Sequence, residues 1–244
     1  MTPLFFLHGV GGSHSVWDRQ LPYFASLGYE ARAWDQPGYG STPAVEPYDL
    51  EHVATALERQ LPAEPVVLIG HSMGGFVAQE AYARFPGRIR ALALCFTSAA
   101  FGGTGSDFAR QFIAARIGPL DQGKTMAEIA ARVIPGMRGS RSRDDGVAHA
   151  RRVMSEVPPE TYRKAVRLLT TFDQRARLSA IRVPTLVLAG SDDRVAPAAV
   201  MGRMAQKIPG AEFVQLEGCG HLGPMDQPDS FNEALAAFLQ RHQL

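Results

Sequence analysis

Val66-Val67-Leu68-Ile69-Gly70-His71-Ser72-Met73-Gly74-Gly75 passes within ten residues from an apolar run, through a small-residue turn, into an amphipathic pattern. The apolar run suits a strand covered by helices on both faces. The turn carries Gly-x-Ser-x-Gly, and a serine set between a buried strand and a helix reads as a nucleophile elbow. Such a turn strains the serine backbone, and side chains two positions to either side would collide. Gly70 and Gly74 avoid the collision because they have no Cβ. The turn also sets Ser72 at a helix N-terminus, where free N–H groups favour developing negative charge.

Short apolar runs and helical patterns alternate on both sides of this stretch. Strands are predicted at 4–7, 30–34, 66–69 and 91–96, and helices at 15–27, 49–61 and 73–85. This order implies right-handed crossovers and a mostly parallel α/β sheet. From 98 to 181 helical patterns dominate, broken at Gly118-Pro119, Pro135-Gly136, 139–142 and Pro158-Pro159. Strand signals resume at 184–189 and 211–216, and a helix at 230–241 closes the chain. The organisation expected is a core of residues 1–97 and 182–244 with a helical cap, 98–181, inserted into it. Gly139-Ser140-Arg141-Ser142-Arg143 reads as a hinge or lid edge.

Bulk properties exclude several classes. Apolar content of 45% and charged content of 20% over 244 residues fit a globular enzyme rather than a disordered chain. A net charge of +1 gives no reason to expect nucleic acid or an anionic membrane as partner. Cys95 and Cys219 make no disulfide framework, and no histidine pair has metal-ligand spacing on one helix. No apolar stretch is long enough to span a bilayer, and Met1-Thr2-Pro3-Leu4-Phe5-Phe6-Leu7-His8 lacks a basic segment and a long apolar core. The expected location is cytoplasmic.

Serine needs a base within hydrogen-bond reach, and the base needs an acceptor that fixes its tautomer. Both occur after the insertion, in the order Ser, acid, His. Asp193 lies in Gly190-Ser191-Asp192-Asp193-Arg194-Val195-Ala196-Pro197 behind a predicted strand, and His221 in Gly218-Cys219-Gly220-His221 behind the last one. Loops at the carboxyl ends of neighbouring strands converge on one edge of an open α/β sheet, so these residues can meet.

With these residues in place the chain resembles the α/β-hydrolase superfamily over nearly its whole length. Matching features include His8-Gly9 after the first strand, Asp35-Gln36-Pro37-Gly38-Tyr39-Gly40-Ser41, the elbow, and the terminal Gly-His followed by Pro228. The resemblance implies Ser72 as nucleophile, His221 as base and Asp193 as acid, with no metal or cofactor. Asp192 is the rival acid, and the pattern of Gly, two residues, then Asp selects Asp193. Some relatives place the acid after the preceding strand, where this chain reads Phe96-Thr97-Ser98-Ala99 without a carboxylate. An oxyanion hole would take N–H groups from Met73, following the nucleophile, and from Val10 in His8-Gly9-Val10-Gly11-Gly12. Many relatives carry a strand hairpin of about twenty residues before the His-Gly strand. The chain begins almost at that strand, so a smaller sheet of about six strands is expected.

The implied activity is that of a serine esterase or lactonase acting through an acyl-enzyme on a small carboxylic ester or lactone. From Thr171-Phe172-Asp173-Gln174-Arg175 onward the chain is similar to 3-oxoadipate enol-lactonase-like members and small carboxylesterases. The same triad can serve C–C bond hydrolysis of the meta-cleavage type, although Leu222 stands where those members often have Trp. A slow-turnover ligand receptor is the non-enzymatic alternative, and an intact Ser72, Asp193 and His221 favour catalysis over it. Gly9 to Gly12 lack the full dinucleotide fingerprint. Asp35 reads as a structural residue for the turn at Gly38-Tyr39-Gly40. His8 and His71 are expected to hold backbone geometry, and the other histidines besides His221 to lie at the surface. The cap carries fourteen Lys/Arg against eight Asp/Glu, a surplus of six that leaves the remainder at −5. That surplus is a solvated surface in the simpler view, or a field attracting a carboxylate-bearing substrate.

Overall fold

A computed structural model describes residues 1–244. Six strands form one sheet: β1 (Leu4–Leu7), β2 (Ala31–Trp34), β3 (Val66–His71), β4 (Ile89–Cys95), β5 (Thr185–Gly190) and β6 (Glu212–Leu216). Their spatial order is β2-β1-β3-β4-β5-β6, and every pairing is parallel. The parallel α/β sheet of about six strands implied by the sequence is therefore present. β1, β3 and β5 are buried at every position, which explains their unbroken apolar runs, whereas β6 alternates and lies at an edge.

Helices cover both faces. α1 (Gln20–Ser26) packs with α10 (Pro228–Arg241) on one side, and α2 (Leu50–Glu58) packs with α3 (Met73–Arg84) on the other. Phe6, Trp17, Phe24 and Phe231 fill the α1–α10 side, with the Phe6 and Trp17 rings 4.9 Å apart. The chain leaves β1 and β3, which are neighbours, toward opposite faces. That divergence opens a crevice above their carboxyl ends, the usual ligand position in such a sheet.

The helix predicted over 15–27 is divided into a 3-10 turn, His14–Trp17, and α1. Pro22 gives the reason. In a continuous helix it would fall mid-way and remove a backbone bond, whereas in the first turn of α1 its missing N–H costs nothing. Two elements have no counterpart in the sequence pattern, α8 (Ala198–Ala205) and the single turn α9 (Gly223–Asp226). Each is too short for helical periodicity to declare itself.

Between β4 and β5 the chain forms four helices: α4 (Asp107–Asp121), α5 (Met126–Val133), α6 (Asp144–Ser155) and α7 (Pro159–Leu169). Local signals start them. Ser106 accepts the Ala109 N–H at 3.0 Å, and Thr125 and Glu128 form a reciprocal capping box. The outgoing and returning strands of this segment cross at an antiparallel bridge between Ala100 and Asp173. There the Gln174 N–H donates to Ala99 O at 2.7 Å and the Phe101 N–H to Phe172 O at 3.1 Å. Phe172 stacks on Phe76 of α3 with centroids 3.9 Å apart, so the returning chain is packed onto the sheet layer.

The tightest contact is at the elbow. A Cβ at Gly74 would overlap the Leu7 carbonyl, and one at Gly70 would come within 2.6 Å of Gly75 N. Helix α3 therefore starts against β1 only because Gly74 lacks a side chain, and turns off β3 only because Gly70 does. Gly74→Ala is expected to destabilise the protein by about 2–3 kcal/mol through overpacking, read from the urea unfolding midpoint. A midpoint equal to wild type would contradict this packing.

Candidate active site

Ser72 stands between β3 and α3 with φ 54° and ψ −118°, a backbone conformation rarely adopted by residues with a side chain. Its N–H donates to Cys95 O at 3.0 Å, and Thr97 Oγ1 donates to its carbonyl at 2.8 Å. The strained turn is thus held from β4 and the loop behind it. Thr97 is a residue sequence reasoning missed: the segment 96–99 draws attention only for lacking a carboxylate. A threonine beside an elbow has no pattern of its own.

His221 reaches Ser72 from the loop after β6. Its Nε2 lies 3.0 Å from Ser72 Oγ and its Nδ1 2.8 Å from Asp193 Oδ2. With Nδ1–H donating to the carboxylate, Nε2 is left as the acceptor for the serine proton. The other carboxylate oxygen of Asp193 accepts the N–H groups of Val195 (2.7 Å) and Ala196 (3.0 Å). Burial pushes the Asp193 carboxyl upward, but the His221 charge and the three hydrogen bonds outweigh it and hold the group below its ordinary range. Asp192, the neighbouring carboxylate, points away from His221 and accepts the Ser140 N–H at 2.7 Å.

The segment read as a hinge or lid edge, with Met137 just before it, is bonded to the loops that carry Asp192, His221 and Asp226. The His221 N–H donates to Met137 O at 2.8 Å and the Arg141 N–H to Gly218 O at 2.9 Å, while Ser142 Oγ donates to the buried Asp226 carboxylate. A Cβ on Gly139 would overlap Gly218 O, so glycine lets this strand lie flat on the His221 loop. Burial raises the Asp226 carboxyl against the lowering contact from Ser142.

His71 donates its Nε2–H to His221 O at 2.8 Å. His8 bonds Gly9 O through Nδ1 at 2.8 Å and accepts the Gln36 N–H on Nε2 at 3.2 Å. Both hold backbone, as their flanking positions suggested. Asp35 differs from expectation: it accepts the His14 N–H at 2.6 Å and pairs with the His14 ring at 2.8 Å. It ties the loop after β2 to the loop after β1, and its carboxylate packs on Gly40 of its own turn, which leaves that position no room for a Cβ.

Ser72 and His221 face an apolar cleft between the carboxyl edge of the sheet and the helices α4 to α7. Val10 is on its wall beside the elbow. Met73 is the first residue of α3, where an N–H has no intrahelical acceptor. No group of three or more His, Cys, Asp or Glu side chains is arranged to hold a metal ion. No helix is long and apolar enough to cross a membrane.

A profile of the alpha/beta hydrolase family matches residues 4–234, and the chain belongs to that family. It is 29% identical to the pimeloyl-[acyl-carrier protein] methyl ester esterase of Aromatoleum aromaticum, over 93% of each chain. It is also 29% identical to 3-oxoadipate enol-lactonase 2 of Acinetobacter baylyi, over 98% of this chain and 88% of the other. Among solved structures, a thermophilic esterase from Thermogutta terrifontis superposes with a TM-score of 0.85 at 26% identity, covering 99% of this chain and 90% of that one.

Burial of two imidazoles sets a pH limit on stability. Desolvation foremost lowers His8 to about 4 and His71 to about 3, with the His221 charge adding to the effect on His71. An unfolded imidazole takes up its proton near pH 6.5. Below that pH the unfolded chain binds up to two more protons than the fold. Stability is therefore complete above pH 6.5 and lost progressively as pH falls toward 4. Denaturant unfolding at successive pH values measures this directly. Equal stability at pH 7 and pH 5 would refute it.

Proposed function

We propose that this chain is a serine hydrolase that cleaves a small carboxylic ester or lactone through an acyl-enzyme. The separation of 3.0 Å between Ser72 Oγ and His221 Nε2, with Asp193 2.8 Å behind the ring, carries this assignment. Ser72 Oγ attacks the carbonyl carbon as its proton passes to His221 Nε2. Asp193 holds the ring and stabilises the imidazolium that forms. The negative charge developing on the carbonyl oxygen is received by the N–H groups of Val10 and Met73. The loop carrying Val10 comes close enough for this: a Cβ on Gly9 would lie 3.0 Å from Ser72 Cβ.

Collapse of the intermediate breaks the bond to the alkoxy oxygen, which leaves with the proton from His221. Water then gives its proton to the same nitrogen and attacks the acyl carbon, releasing the acid and restoring Ser72. The apolar cleft supports a small organic acyl or alkoxy group over a charged polymer. The relatives named as an esterase and an enol-lactonase rank these two substrate types first.

A fluorophosphonate probe is expected to label wild type and not Ser72→Ala, and Ser72→Ala is expected to lose ester hydrolysis by roughly 10⁴-fold or more. Asp193→Asn should lose activity on a similar scale, whereas Asp192→Asn should lose far less. Labelling that survives Ser72→Ala, or equal losses from the two aspartate variants, would remove the assignment.

A further inference from the structure

The cleft wall bears one fixed charge. Among the side chains lining it there is no Asp, Glu or Lys, and the single arginine is Arg116, from α4. The Arg116 guanidinium lies over the Phe112 ring, 5.4 Å from its centroid, one helical turn away on the same wall. It also sits beside the Tyr162 hydroxyl, which is buried on the neighbouring α7. Burial drives that phenol upward, and Arg116 pulls it in the other direction. Carboxylates on α4, α5 and α7 pair with other cations: Asp121 and Glu160 with Arg163, and Glu128 with Lys124. Other cap cations are paired with carboxylates outside the cap, Lys164 with Glu46 and Arg177 with Glu80. Arg116 is half-buried and has no ion-pair partner in the chain.

A guanidinium set among apolar side chains, with no carboxylate of the chain paired to it, has the donor geometry to receive a planar anion. A carboxylate fits its forked donors with two parallel hydrogen bonds, and low local dielectric strengthens the pair relative to one on the surface. We propose that the natural substrate is an ester or lactone that also carries a free carboxylate, seated on Arg116 while the scissile carbonyl lies at Ser72. This rests on the hydrolase assignment above for its reacting end. Phe76, Phe101, Phe112 and Leu169 line the cleft as well, so the segment joining the two ends of the substrate is apolar. A single cation matches a monoanion. A phosphate dianion would bring a second charge that nothing in the wall balances. Where the carboxylate belongs to the acyl part, hydrolysis leaves a new carboxylate at Ser72 with no cation to hold it, which favours product release.

The test compares monomethyl esters of linear dicarboxylic acids, and butyryl esters of ω-hydroxy acids, with neutral esters of the same lengths. Wild type is expected to favour the best acid ester over its neutral counterpart in kcat/KM by roughly 10- to 100-fold, mostly through KM. Arg116→Gln should bring that ratio near one, and Arg116→Lys should keep part of it. Arg151→Gln removes the same charge from the exposed face of the cap and should leave the ratio as in wild type. Calorimetry on Ser72→Ala gives a readout without turnover: it should bind the acid esters, and Ser72→Ala with Arg116→Gln should not. A wild-type ratio near one, or equal loss from Arg151→Gln and Arg116→Gln, overturns the proposal. Tighter binding of an ω-phosphate ester than of the carboxylate also overturns it. Absence of all ester turnover alongside Arg116-dependent binding in Ser72→Ala would overturn the hydrolase assignment and leave the anion site standing.

Discussion

The positive φ of Ser72 is the constraint on which the rest of the site depends. A side chain at φ 54° is unfavourable, and the turn survives because its surroundings leave no alternative. β4 holds its N–H, Thr97 holds its carbonyl, and α3 is pressed so close to β1 that Gly74 has no room for a Cβ. In return the turn projects Oγ clear of the sheet and starts a helix directly behind it. Strain at one residue is thus balanced by three neighbouring elements, two of which are buried strands.

The second half of the site has a different source of rigidity. Asp193 and His221 belong to loops after β5 and β6, and β6 is an exposed edge strand. Backbone contacts from the cap compensate. The strand from Met137 to Ser142 bonds to the His221 loop, to Asp192 and to Asp226, while His71 of the elbow bonds to His221 O. The helical insertion therefore does two things: its inner helices wall the cleft, and one connecting strand steadies the imidazole. The cost of this close packing is two buried neutral histidines, which tie stability to pH.

Where local chemistry and local periodicity coincide, sequence and structure agree closely. The apolar runs of β1, β3 and β5 are strands because both faces of each are covered, and Gly70 and Gly74 flank the serine because backbone lies against them. Disagreement begins where a residue acts at a distance. Pro22 divides a helix whose apolar spacing runs straight through it. Asp35 bonds to His14 rather than to its own turn, and the segment 139–143 looks loose in sequence because its partners lie some fifty to eighty residues away.

The sequence by itself determined the parallel sheet and the glycines that flank Ser72, since each is written in spacing along one strand or one turn. Only the tertiary structure decided where the Asp192 carboxylate goes, onto the Ser140 N–H, that Thr97 braces the elbow, and that Arg116 alone among the cap's arginines lines the cleft beside Ser72 without an acidic partner. Those are questions of direction. Adjacent residues in a loop point different ways, and a helix with charge on several sides shows its inward face only once it is packed.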